Sequence, residues 1–164
     1  MTYAISVWGA APKSNIERMV KLQKKGIRHV TNSKYNAHTE PLFKTENILQ
    51  SNDLFKLQCV KLMYKKCHNN LHNYHNSKVL TNYDVTHIET RNANDVHVYE
   101  TESNLITVNS INFKVGYWNA LDSEMKTKVF KLSISTFTKH VKDMYISKYS
   151  YVCNKDNCYV CENQ

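Results

Sequence analysis

Three cysteines late in the 164-residue chain, Cys153, Cys158 and Cys161, have the types and spacing to do coordination chemistry. Thiolates at such short intervals suit zinc, but a closed structural site needs four ligands. The fourth would come from another element, with His140 as the candidate. The other reading is a disordered tail of free thiols, and the sequence leaves both open. Apart from this candidate zinc, no cofactor is expected. Cys59 and Cys67 lie within an apolar stretch and read as small core residues. The histidines at 68, 72, 75, 87 and 97 sit in a polar, Asn-rich segment. They lack the carboxylate-supported i,i+4 pairing of a zinc helix, so residues 68–97 read as a mobile surface loop.

Catalytic chemistry has no comparable foothold. There are no clustered carboxylates, no Gly-rich phosphate loop and no triad-like spacing, so the chain is not expected to be an enzyme. The remaining chemistry is electrostatic. The net charge is +8, and residues 1–80 hold 13 Lys/Arg against 4 Asp/Glu, whereas residues 81–164 hold 9 against 10. An excess gathered in one half points to a polyanionic partner rather than to general solubility. Its sharpest expression is Arg18, Lys21, Lys24, Lys25 and Arg28, which share one side of a helix expected over residues 14–30. These five are the candidate nucleic-acid-binding residues. The alternative is an ordinary solvated helix face.

The elements that must position these residues follow from periodicity. Ser14 and Glu17 have capping-box spacing. Ile16, Met19, Val20, Ile27 and Val30 form the apolar side of the helix they open. Gly26 lies at the edge of that side, where it permits close packing. Pro41 starts a short helix over 41–46. A longer helix over 52–68 is apolar around most of its circumference and reads as centrally buried, with Leu54, Leu57 and Leu62 at the core. The β-branched run over 105–115 predicts a strand or hairpin turning at Asn109 and Ser110. A short helix near 120–127 follows, with Asn119 as its N-cap. Trp118 reads as an anchor for that helix rather than as a base-stacking platform, since few basic residues surround it. The last helix spans about 134–149, with Ile134, Phe137, Val141, Met144 and Tyr145 on one face.

Only 3 Gly and 2 Pro are present, which excludes flexible linkers, and 41% apolar residues suffice for a core. The expected fold class is therefore mainly α: a small helical domain over 1–149 with a minor β-hairpin element, then a disordered Cys-containing tail over 150–164. No apolar run approaches membrane-spanning length and no signal peptide is visible, so an intracellular location, nucleus or cytoplasm, is expected. The apolar residues 3–8 begin without a lead-in, and Met1 reads as an internal start within a longer frame.

Several short strings recur in a fixed order along residues 3–149. They are Val7, Trp8 and Gly9; Leu22 to Lys25 with Ile27 and Arg28; and His38, Thr39, Glu40, Pro41, Leu42 and Phe43. Next come Ile48 and Leu49 with Asp53 and Leu54, Met63 and Tyr64, Thr90 and Arg91, then Tyr117, Trp118, Asn119, Ala120 and Leu121. Phe137, Lys139 and Tyr149 close the series. In combination this order resembles the C-terminal region of LINE-type (non-LTR, jockey-like) retrotransposon reverse transcriptases. The resemblance implies a larger parent, an RNA-directed DNA polymerase whose upstream polymerase domain would be a partner of this region. Such a polymerase needs paired aspartates for two metal ions. This chain has no adjacent Asp pair, and Tyr83 and Asp84 are followed by Val85. The resemblance therefore implies a non-catalytic helical appendage near the thumb, in contact with RNA or DNA. The alternative is a pseudogene-like or domesticated fragment that acts only as a structural or interaction protein.

Overall fold

Helix-forming periodicity dominates the described chain. The computed structural model describes residues 5, 9, 11–68, 80–97, 111–128 and 131–150, with the backbone alone for 111–113, 127 and 128. Seven helices lie among these residues: α1 (Lys13–Val30), α2 (Thr39–Thr45), α3 (Ser51–Cys67), α4 (Asn82–Thr86), α5 (Ile111–Asn119), α6 (Ser123–Lys128) and α7 (Ile134–Ser147). The mainly α class is therefore as expected. Two compact units divide the chain: Met1–Phe55 with Lys139–Gln164, and Lys56–Thr138.

In the first unit, α1 packs on α2. Its N-cap is Pro12, with φ −51° and ψ 145°, and no side chain caps it. The backbone N–H groups of Asn15 and Ile16 both donate to Pro12 O. The expected Ser14–Glu17 capping box is thus absent. Proline's fixed φ starts the helix two residues earlier and draws Ser14 inside it. α1 and α2 end alike. Asn32 (φ 50°) and Asn47 (φ 53°) adopt the left-handed conformation just past each helix. Ser33 N donates to Arg28 O and Asn32 N to His29 O, while Ile48 N donates to Phe43 O and Asn47 N to Lys44 O. Both are Schellman motifs with Asn in the place glycine usually holds. Ile27, Phe43, Leu49 and Val141 are buried in this unit. Gly9 is a tight fit, since a Cβ there would meet the Phe55 ring and Ile5 O. Gly26, by contrast, is exposed with nothing near its absent side chain, so its expected close-packing role is not found. Val30, expected on the apolar side, is 74% exposed.

Two hydrogen-bond clusters stitch the first unit. Gln23 Nε2 donates to Leu49 O at 2.8 Å, and its Oε1 accepts from Ser51 N and Ser51 Oγ, both at 2.8 Å. One α1 side chain thereby satisfies an amide at the start of α3 that has no partner within its own helix. Tyr149 Oη donates to Asp53 Oδ2 at 2.7 Å and accepts from Gln50 N at 3.0 Å. Burial, above all, together with Asp53 raises the Tyr149 hydroxyl pKa. Lys44 Nζ donates to Ser147 O and Tyr149 O, closing the C-terminal end of α7.

In the second unit, Phe137, Val60, Met63 and Val115 are buried almost completely. Tyr64 stacks on Phe137 at 4.9 Å between centroids and donates through Oη to Leu132 O at 2.6 Å. Trp118 is buried, 6.2 Å from the Phe137 ring, as an anchoring role requires. Leu57 is buried, but Leu54 and Leu62 are only half-buried. Residues 111–115 belong to α5, so the strand expected there is replaced by helix; residues 105–110 of that expectation lie outside the described ones. The β-branched run gave way because its second part continues into Gly116–Asn119 as one helix. Asn119 does not cap α6. It ends α5, and its amide group both accepts from Val96 N (3.1 Å) and donates to Val96 O (2.9 Å).

The segment 80–97, expected as loop, contains a capped helix and a bridge. Thr81 and Asp84 form a capping box on α4, with Thr81 N to Asp84 Oδ2 at 2.8 Å and Asp84 N to Thr81 Oγ1 at 3.2 Å. Thr81 pairs with Val96 in an antiparallel bridge, and Lys126 ties Asp95 Oδ1 and Asn119 O, both at 2.8 Å. Residues 69–79 of that expectation lie outside the described ones.

Candidate nucleic-acid interface

The amphipathic pattern of α1 fixes which side chains face water. Ile27 is buried, and Ile16, Met19, Val20 and Gln23 are half-buried on the same side. At 100° per residue, the five basic residues occupy an arc of about 120° away from it. Arg18, Lys21 and Lys25 are exposed, while Lys24 and Arg28 are half-buried. Glu17 falls within that arc, yet Arg18, Lys21, Lys24 and Lys25 form no ion pair among the described residues. No described carboxylate therefore pairs with these four cations. Arg28 differs from the others. Its Nε donates to Ala37 O at 2.8 Å, holding the loop after α1 against the helix end. Arg28 and His29 also complement the negative end of the helix dipole. Of the five candidates, three are fully available to a ligand, Lys24 partly, and Arg28 doubles as a structural clamp.

Of the candidate metal ligands, only His140 lies among the described residues. Cys153, Cys158 and Cys161 lie outside the described residues. His140 is exposed on α7. His68 stacks on Tyr64 at 4.2 Å, with Nδ1 2.9 Å from Tyr64 O. His97 Nδ1 lies 3.1 Å from Asn82 Oδ1, and His87 ends α4 in the left-handed region at φ 56°. Among the described residues no group of three His, Cys, Asp or Glu side chains could hold a metal ion.

The second unit holds a different set of reactive types. Cys59 is fully buried, and desolvation, only partly offset by Lys114, pushes its thiol up to about 11. Burial likewise raises Cys67 and lowers Lys66, with the positive charge of Lys114 adding to the effect on Lys66. These thiols are poor nucleophiles, because little thiolate exists near neutral pH.

Two features around α1 escape sequence reading. Gln23 reads as one more polar residue until its contacts with Leu49 and Ser51 are seen. Tyr35 reads as loop, yet it is 89% exposed at a turn fixed to α1. Asn32 does carry a legible signal, since an Asn directly after a periodic run marks a left-handed helix end. No family model matches the chain, and neither does any curated protein or solved structure.

Proposed function

We propose that the chain is a helical nucleic-acid-binding module, the non-catalytic C-terminal part of a non-LTR-type reverse transcriptase. The observation that carries the binding reading is the uncompensated stripe of Arg18, Lys21 and Lys25 along exposed α1. A row of cations with no ion pair among the described residues matches a phosphate backbone, and releasing counterions from that backbone drives binding. The family reading rests on the ordered strings from Val7 to Tyr149. In this reading the polymerase carboxylates belong to an upstream domain, and this region holds RNA or DNA for it inside the cell. Contacts of this kind position a strand and carry little base information, so sequence preference is weak.

No helix among the described residues is long and apolar enough to cross a membrane. The test is the salt dependence of affinity for a fluorescent oligonucleotide. With about three to four phosphates neutralised, the log–log slope lies near −3 on a duplex and between about −2 and −3 on a single strand. Replacing Arg18, Lys21 and Lys25 with Gln flattens it. A slope that the triple variant leaves unchanged would mean that the stripe is merely solvated.

A further inference from the structure

We propose that Tyr35 is a stacking platform for a base of an unpaired nucleic-acid strand whose phosphates lie along α1, an inference that rests on the polyanion-binding reading above. Tyr35 is 89% exposed, the most exposed of the large hydrophobic side chains among the described residues. It stands in a turn closed by Ala37 N donating to Lys34 O at 3.0 Å, and Ala37 itself is buried. The turn is pinned to the basic helix, because Arg28 Nε donates to Ala37 O at 2.8 Å. On the other side of the loop, Thr31 Oγ1 donates to Ile27 O at 2.9 Å and lies 2.8 Å from Ser33 Oγ. The ring is thus held out to water by a loop already ordered, which lowers the cost of fixing it when a ligand binds.

Its surroundings select the ligand. Arg18, Leu22, Lys25 and His29 recur at i, i+4, i+7 and i+11, all exposed, over about 16 Å of α1. Leu22 is 57% exposed within this otherwise basic row. Two cations flanking an apolar contact, on a helix followed by a pinned turn that carries an uncovered aromatic ring, suit a chain that alternates phosphates with flat bases. Paired bases are stacked within a duplex and offer no free face, so the partner is single-stranded. Stacking does not depend on which base is presented or on the sugar, so RNA and DNA strands both qualify.

The test uses the full chain and four probes: oligothymidylate, oligouridylate, an abasic strand of the same length and charge, and vesicles of anionic phosphatidylserine. The chain should hold both base-bearing strands about tenfold more tightly than the abasic one, within the range of one base–aromatic stack. Tyr35→Ala should erase that margin and leave abasic binding unchanged, while Tyr35→Phe should keep it. The residue is exposed, so folding is not at stake. Equal affinity for base-bearing and abasic strands, or a margin that survives Tyr35→Ala, would overturn the stacking platform while leaving the polyanion surface standing. Failure of every strand to bind in a salt-sensitive way would overturn both. Vesicle binding that outcompetes the strands would assign the same face to a lipid surface.

Discussion

Basic residues occupy two contrasting environments in this protein. On α1, Arg18, Lys21 and Lys25 face water and pair with nothing among the described residues. In the Lys56–Thr138 unit, Lys126 clamps Asp95 and Asn119, and Lys66 is only 9% exposed, its charge disfavoured by burial and by Lys114. By sequence both units are net basic, with 12 Lys/Arg against 7 Asp/Glu in the first and 10 against 7 in the second. Formal charge therefore does not locate an interaction surface. What separates Lys126 from Arg18, Lys21 and Lys25 is commitment: Lys126 ties parts of its own unit together, and the three on α1 are exposed with no ion pair among the described residues.

The largest test of that contrast is Trp118→Ala. It removes a buried ring beside Phe137 and should cost about 3–5 kcal/mol, read as a lowered melting temperature. Nucleic-acid affinity, measured well below the new transition, should not change. Loss of binding with an unchanged melting temperature would put base recognition at Trp118 and break the comparison.

Alkaline pH gives the next effect. The Cys59 thiol has an ordinary pKa of 9.0 and is raised to about 11 in the fold. Below pH 9 the thiol is protonated in both states, so its contribution is intact. Between 9 and 11 the unfolded chain gives up the proton and the folded chain keeps it, so stability falls with rising pH by about 2–3 kcal/mol. Denaturant titrations under reducing conditions should show this fall, and Cys59→Ala should reduce it, the remainder coming from Cys67 and Tyr149, which are also raised. A flat profile in the parent protein would mean that the thiol is not desolvated. Tyr149 acts in the same direction above its own ordinary value of 10.0, because its pKa is also raised.

A smaller effect separates the two kinds of lysine directly. Lys126→Met should destabilise by about 1 kcal/mol, since it breaks a partly exposed ion pair and a bond to a backbone carbonyl. Lys21→Met should fall within about 0.5 kcal/mol of neutral. Equal costs measured by denaturant unfolding would erase the distinction between committed and free cations.

Much of the fold is legible in local pattern. The periodicity of Ile16, Met19, Val20 and Ile27 places α1 and its basic side, and Phe137, Val141 and Tyr145 place the buried face of α7. The failures share a cause, which is competition between local signals or a partner distant in sequence. Ser14 and Glu17 have the right spacing, but Pro12 starts the helix first. Thr81 and Asp84 form a real capping box within a segment whose polarity reads as loop, and its order comes from Val96 and Asp95 about a dozen residues away. Asn119 has a capping residue's chemistry, which Val96 claims instead. At the interface, the stripe is visible from spacing alone. The Arg28 clamp on Ala37 and the exposure of Tyr35 are not, because both depend on how the loop after α1 folds back.

In the proposed function, location on α1 rather than net charge makes the polyanion surface. Two variants of equal charge test it: Arg18, Lys21 and Lys25 changed to Gln on α1, and Lys65, Arg91 and Lys131 changed to Gln in the second unit. Salt-dependent affinity for one oligonucleotide is measured for both beside the parent. The α1 variant should lose most of a slope of about −2 to −3, whereas the second variant should keep nearly all of it. Equal flattening in both variants would contradict this reading, and would reduce the binding to a property of overall charge.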